Sequence, residues 1–309
     1  MLTHGCTTPV MPSRVAVLGA TGAVGAALVQ HLRDLEIETL ALSSRDVDLC
    51  QPDAAARLQE LIRPDDALVI VSAITPDKGR DAGTLMRNLR MGESLSQFLA
   101  SRPCAHVVYI SSDAVYGERD HLIHEGSPCD PASFHGLMHL VRERMLSQAV
   151  RSAGTPLAIL RPCALFGPGD THSSYGPNQF VRTALREGRI ALFGDGEEQR
   201  DHVFLPDLSR LAGLCLLHRS AGVLNAATGA SVSFHEVARL IAERCDRGVR
   251  IERLPRRAPV SHRHMDTAAL IRAFPSFRFT PLTEALAACL GERRGIPAQG
   301  DALAGVKRS

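Results

Sequence analysis

Two histidines stand four residues apart in PASFHGLMHLVRERM, residues 131–145, at His135 and His139. The surrounding apolar spacing predicts a helix, so both imidazoles fall on one helix face. Such a pair can exchange protons near neutral pH, share a metal, or stand on a solvated surface. A metalloprotease helix places a glutamate between its two histidines; here Gly136, Leu137 and Met138 lie between them. No third ligand is marked. The cysteines at 6, 50, 104, 129, 163, 215, 245 and 289 form no CxxC or other metal-like spacing. We expect no bound metal and, for the most part, buried reduced thiols.

The elements that must position this pair come from a chain of 309 residues, 45% apolar and 22% charged. That suffices for one large core or two smaller ones. A formal net charge of +2 gives no electrostatic case for a nucleic-acid partner. No apolar run is long enough to cross a bilayer, and MLTHGCTTPVMPSR lacks the order of a signal peptide. We therefore expect a cytoplasmic protein without membrane association. Its basic charge is nearly all arginine, since the only lysines are Lys78 and Lys307.

Short apolar runs alternate with helical patterns. Val15 to Leu18, Glu38 to Leu42, Ala67 to Ala73, His106 to Ser112 and Leu157 to Gly167 read as strands. Helical spacing separates them, and this predicts an α/β fold of Rossmann type, a doubly wound parallel sheet covered on both faces. After Gly167 the segments become shorter and more polar. We read a first domain over 13–167 and 201–230, and a smaller α/β second domain over 168–200 and 231–292. Loose tails are expected over 1–12 and 293–309.

GATGAVG, from Gly19 to Gly25, lies between a strand and a helix. Gly19 permits a tight turn, Gly22 lets the backbone approach a pyrophosphate, and Gly25 lets the helix pack close. The helix N-terminus, with Thr21, Ala23 and Val24 in the turn, presents free N–H groups to an anion. Ser72 and Ala73 close the third strand beside it. The second strand ends in LSSRDVDL. Ser43, Ser44 and Arg45 suit a ribose 2′-phosphate, whereas Asp46 would suit a 2′-hydroxyl. The cofactor is expected to be NADP or NAD, with NADP favoured.

With these marks in place, the chain resembles the extended short-chain dehydrogenase/reductases, the NAD-dependent epimerase/dehydratase family acting on nucleotide sugars. SSDAVYG, RPCALFGPGD and GDGEEQRDHVFLPDL are similar to further segments of that family, in the family's order. The resemblance implies a nucleotide-sugar substrate, a homodimer, and adenine contacts at Asp48 and Leu49. It places Ser112 at the hydroxyl residue of the active site. The family's Tyr and Lys would stand at His135 and His139, because P-A-S-F-H-G-L-M-H-L-V-R-E aligns with P-x-x-x-Y-G-x-S-K-L-x-x-E. The tyrosines at 109, 116 and 175 have no lysine four residues on.

Three readings follow. His135 replaces the tyrosine as acid/base, needing no lysine to titrate near neutrality, while His139 binds the ribose or tunes it. Alternatively, the site is inactive and the protein binds cofactor or sugar as a regulator or scaffold. In the third reading the pair binds metal. Within the resemblance, Asp113 is kept but Ala114 replaces the dehydratase glutamate, which argues against a sugar 4,6-dehydratase. Arg200 stands where the family grips the diphosphate, Arg263 is a second phosphate candidate, and Asn178 and Tyr175 lie in the substrate loop. The expected activity is hydride transfer at a sugar C4 hydroxyl or keto group, as a 4-epimerase or 4-keto reductase.

Overall fold

The structure is a computed structural model that describes residues 2–118, 122–170, 175–245, 248–256 and 258–291. The tail expected over 293–309, with Lys307, lies outside the described residues. In chain order come β1 (Val15–Leu18), α1 (Ala23–Asp34), β2 (Thr39–Leu42), α2 (Ala54–Leu61), β3 (Ala67–Ile70), α3 (Ala82–Ser101) and β4 (His106–Ile110). A 3-10 turn at Asp113–Val115 follows, then β5 (Leu122–Ile123), α4 (Phe134–Ala153), β6 (Leu157–Pro162), β7 (Ala164–Phe166), α5 (Pro177–Glu187) and β8 (Arg189–Phe193). The remainder is β9 (Gln199–Phe204), α6 (Leu205–Leu217), β10 (Gly222–Ala226), β11 (Ser231–Ser233), α7 (Phe234–Ala242), β12 (Arg250–Leu254), β13 (His264–Met265), α8 (Ala268–Ala273) and α9 (Leu282–Cys289).

Six strands form one parallel sheet in the order β10-β6-β4-β3-β1-β2. Every residue of β1, β3, β4 and β6 is buried, as parallel strands covered on both faces must be. Alternation divides β1 between two apolar clusters. Val15 and Val17 join Leu28, Leu32 and Leu211 on the side of α1 and α6. Ala16 and Leu18 join Leu95, Phe98 and Leu146 on the side of α3 and α4. A third cluster gathers Phe180, Ile190, Phe234, Val237, Ile241 and Leu286 from α5, β8, α7 and α9.

The run from Leu157 to Gly167 is not one strand. β6 ends at Pro162, and β7 joins a three-stranded sheet, β11-β9-β7. The turn-off is at Cys163, whose N–H still donates to the Ala226 carbonyl at 3.1 Å. Residues 3–10, expected as a loose tail, are fastened to the fold. The N–H of Thr3 and that of Ala221 each donate to the other residue's carbonyl at 2.8 Å. His4 bridges Ser220 Oγ at 2.8 Å and the Ala273 carbonyl at 2.9 Å. Both its ring nitrogens are thereby satisfied, which repays burying the ring beside Phe274.

α4 carries the histidine pair, and its seat is fixed at both ends. Ser133 caps it by accepting from the Gly136 N–H at 3.2 Å. A Cβ on Gly136 would stand 2.0 Å from the Ala114 carbonyl oxygen, so only glycine lets the helix meet the 3-10 turn. Further along, Arg161 of β6 donates to both Glu143 oxygens at 2.9 and 2.6 Å, and Ser111 Oγ donates to the same carboxylate at 2.6 Å. Both partners of this ion pair are buried.

Removing one partner of a buried pair strands the other's charge, at a cost of about 3–5 kcal/mol. Glu143→Leu should therefore lower unfolding free energy by about that amount, whereas Glu143→Leu/Arg161→Leu should lose less. Urea denaturation of both variants checks this; a double mutant that is worse than the single contradicts it. A pH prediction follows from three buried histidines. Burial pushes His106 and His202 down to about 4, and His139 well below its ordinary value. The unfolded chain binds these protons near pH 6.5 and the fold resists them, so the contribution is full above about 6.5 and lost as pH falls toward 4. His202, whose ring nitrogens have no hydrogen-bond partner among the described residues and which packs on Phe166 and Phe234, gives the isolating variant. His202→Phe should flatten the loss of urea midpoint between pH 6.5 and 4; an unchanged slope would count against the account.

Candidate active site

The turn between β1 and α1 is built for close backbone approach. Gly19 sits at φ 93°, and a Cβ there would stand 2.8 Å from the Ser72 nitrogen. A Cβ on Gly25 would lie 2.1 Å from the Gly19 carbonyl oxygen, so α1 reaches its packing distance only with glycine. Gly22 is the N-cap of α1, and no side chain caps the helix. The first-turn N–H groups around Thr21, Ala23 and Val24 thus suit an anion such as a pyrophosphate. These features fit a dinucleotide. A groove lined by Ala20, Thr21, Gln30, Arg33, Ser43 and Asp46 runs from this turn to the end of β2.

At that end the fork has resolved its charges. Asp46 accepts from the Ser43 N–H and from its hydroxyl, both at 2.8 Å. These bonds hold its carboxyl below the usual range. Ser44 and Arg45 are exposed, and the Arg45 guanidinium makes no hydrogen bond among the described residues. Asp48 accepts from the Cys50 N–H and the Gln51 amide, each at 3.0 Å. Leu49 is buried, and its carbonyl accepts from Ser94 Oγ. Ser72 and Ala73 follow β3, and the Ser72 carbonyl accepts from Arg142 at 2.8 Å.

His135 lines a cleft with Ile74, Arg80, Asn88, Ser133 and Phe134. His139 lies one turn deeper, and the two rings meet edge to face with centroids 4.7 Å apart. His139 is buried, with Nδ1 2.7 Å from the Tyr109 hydroxyl. Burial first, then the neighbouring His135 and Arg142, drives its pKa well below the ordinary value. Burial there disfavours the positive charge that a lysine would carry. Ser112 caps the 3-10 turn through Oγ, which accepts from the Ala114 N–H at 3.1 Å. Because Gly136 abuts Ala114, Ser112 and His135 flank one junction.

Asp113 extends the cluster. Arg263 donates to its carbonyl at 2.7 Å and its carboxylate at 3.1 Å, and the Arg263 N–H reaches the Gln199 carbonyl at 3.1 Å. Arg200, adjacent on β9, donates to Ser261 Oγ at 2.9 Å as well as to the Ser261 carbonyl. Both arginines are thus held by protein acceptors, as half-buried guanidinium groups require. Asn178 is taken up by its own loop, accepting from the Gly167 N–H at 3.1 Å and donating to Asp170. Tyr175 is an aromatic core residue against Phe180, Phe193 and Phe234.

Sequence reasoning missed Tyr109, Arg142 and the Ser111–Glu143–Arg161 group. Strand alternation held the signal: Tyr109 and Ser111, two apart, face the same side as α4. Among the described residues, no group of three or more His, Cys, Asp or Glu side chains is placed to hold a metal. No described helix is long and apolar enough to cross a membrane.

Known proteins are similar to this chain in sequence and fold. The NAD dependent epimerase/dehydratase family model matches residues 15–227. A putative UDP-glucose 4-epimerase of Methanocaldococcus jannaschii is 32% identical over 165 residues, 52% of this chain and 54% of its own length. The uncharacterized UDP-glucose epimerase YtcB of Bacillus subtilis is 28% identical over 100 residues, 32% of this chain and 31% of its own. The matched segments thus span about a third to a half of these curated relatives. UDP-glucose 4-epimerase of Thermus thermophilus, solved with NAD, superposes with a TM-score of 0.79 at 21% identity, covering 92% of this chain and 99% of the other. RMD from Pseudomonas aeruginosa, complexed with NADPH, gives 0.79 at 25% identity over 91% and 98%. The chain belongs to the NAD dependent epimerase/dehydratase family.

Proposed function

We propose that the protein is an NAD(P)-dependent nucleotide-sugar oxidoreductase or epimerase acting at a sugar C4 hydroxyl or keto group, with His135 in the place of the family tyrosine. One observation carries this reading. The seat of α4 is kept, through Gly136 on Ala114 and Glu143 on Arg161, and it delivers an imidazole to the cleft beside the Ser112 turn. A fixed seat around an imidazole, a side chain that can both take up and give back a proton, suits proton transfer. UDP-glucose, named for the relatives and neighbours, gives the substrate class.

A nicotinamide dinucleotide on the glycine turn would supply the hydride acceptor or donor. Gly19, Gly22 and Gly25 admit its pyrophosphate to the α1 N-terminus. His135 removes the proton of the sugar hydroxyl and returns it in the reverse direction. Ser112 Oγ accepts from the Ala114 N–H, and its hydroxyl, which rests against Asp113 Oδ1 at 3.4 Å, turns to donate to the reacting oxygen. Arg263 and Arg200 line the diphosphate side. Arg45 selects a 2′-phosphate, since Asp46 is committed to Ser43. Dehydration lacks its acid: Ala114 stands at the glutamate position and Asp113 is paired with Arg263.

Adding UDP-glucose or UDP-galactose to protein loaded with NADP should change absorbance at 340 nm. His135→Ala should reduce that rate by about 10²–10⁴-fold, the usual range for a lost acid/base. Wild type that binds cofactor and sugar without turnover, and stays inactive as His135→Tyr/His139→Lys, overturns the enzyme reading in favour of a regulatory binder. Arg45→Ala should weaken NADPH binding about tenfold or more while leaving NADH nearly unchanged, as expected for one charge-assisted contact. Equal loss for both dinucleotides contradicts the role given to Arg45.

A further inference from the structure

Two residues behind the histidine pair have no part in the chemistry above. Tyr109 reaches α4 from β4, 1% exposed, and among the described residues its hydroxyl has one hydrogen-bond partner, His139 Nδ1 at 2.7 Å. A hydroxyl at this depth with a single partner donates, because the other arrangement leaves its proton bare in an apolar core. Nδ1 is then the acceptor. The one proton of a neutral imidazole must sit on Nε2.

Arg142 bears on the same imidazole through its charge. It is 0% exposed, and its guanidinium lies 5.2 Å from the Tyr109 ring centroid. Nη1 donates to the Ser72 carbonyl, beside the glycine turn, while Nε and Nη2 have no hydrogen-bond partner. The neighbouring carboxylate, Glu143, is committed to Arg161 and Ser111. Among the described residues, Arg142 is therefore a fixed buried cation without an ion pair. Among the described residues, the groups facing His139 are His135 and Arg142 from α4 and Tyr109 from β4, while Glu143, one turn on, is an anion already neutralised by Arg161. A second proton on His139 would meet burial and positive charge together.

We infer that Tyr109 is a positioning residue that, together with Arg142, fixes His139 as the neutral Nε2–H tautomer. His139 then offers a ribose hydroxyl the N–H donor of the family lysine without the lysine's charge. The charge itself has moved one turn along the helix, to Arg142. This inference rests on the proposed reading of α4 as the catalytic helix. It also gives a reason for imidazole at 135: no ammonium remains there to lower a phenol's pKa, and imidazole needs none.

The test is nitrogen-15 NMR of histidine-labelled protein without cofactor, across pH 5 to 8, with His139 assigned from His139→Gln. Wild type should show Nδ1 unprotonated and Nε2 protonated throughout. Tyr109→Phe, which keeps the ring in the core, should shift both nitrogens toward an averaged tautomer. It should also weaken NADPH binding about fivefold, the worth of one misdirected hydrogen bond. Arg142→Met should let His139 protonate at higher pH. Protonated Nδ1 or imidazolium in wild type at neutral pH overturns the inference, even should Tyr109→Phe fail to fold. An unchanged tautomer in Tyr109→Phe overturns it while leaving the role of His135 standing. Wild type with the stated tautomer that binds no nicotinamide dinucleotide defeats the functional reading, and the ribose contact with it.

Discussion

The buried carboxylate of Glu143 sets the rotation of α4, and the site depends on that rotation. Arg161 and Ser111 hold it from the sheet side with three charge-assisted bonds. With Glu143 turned inward, His139 one turn earlier must also face the sheet. His135 then comes to the cleft at the helix start. Gly136 sets the distance, because any side chain there would strike the Ala114 carbonyl. The geometry of position 135 is thus determined by residues other than 135, and the chemistry there can be exchanged without moving the scaffold.

That separation suits the proposed exchange of both side chains. A tyrosine acid/base depends on a cation beside it to bring its pKa toward neutrality. An imidazole does not. Once residue 135 is histidine, an ammonium at 139 has no phenol to serve, and two cations so close would repel. Burial lowers the pKa of the ring at 139, and a buried guanidinium stands at 142. The metal reading is weakened by the same contacts, since one nitrogen of His139 already belongs to Tyr109.

Much of the fold was legible because it rests on local patterns. Apolar runs marked β1, β3, β4 and β6, and GATGAVG marked the first turn with the reasons for each glycine. The proposed histidine exchange rests on matching the motif around it. What escaped was set by distant contacts. Leu157–Gly167 reads as one strand, yet Cys163 leaves the main sheet because Ala226 ends the ladder beside it. Residues 3–10 look like a tail until His4 finds Ser220 and Ala273. Arg200, Arg263 and Asn178 are marked by position, but only the fold shows which acceptors already hold them. Tyr109 and Arg142 gave no motif, since their importance lies in facing His139 across a strand and a helix.

The most direct test of the account is a crystal structure with NADP and a UDP-hexose bound. It predicts an imidazole nitrogen of His135 and Ser112 Oγ within hydrogen-bond distance, about 2.6–3.2 Å, of one sugar oxygen beside the nicotinamide. A sugar whose C4 oxygen meets neither residue, with His135 turned away from the nicotinamide, would contradict it.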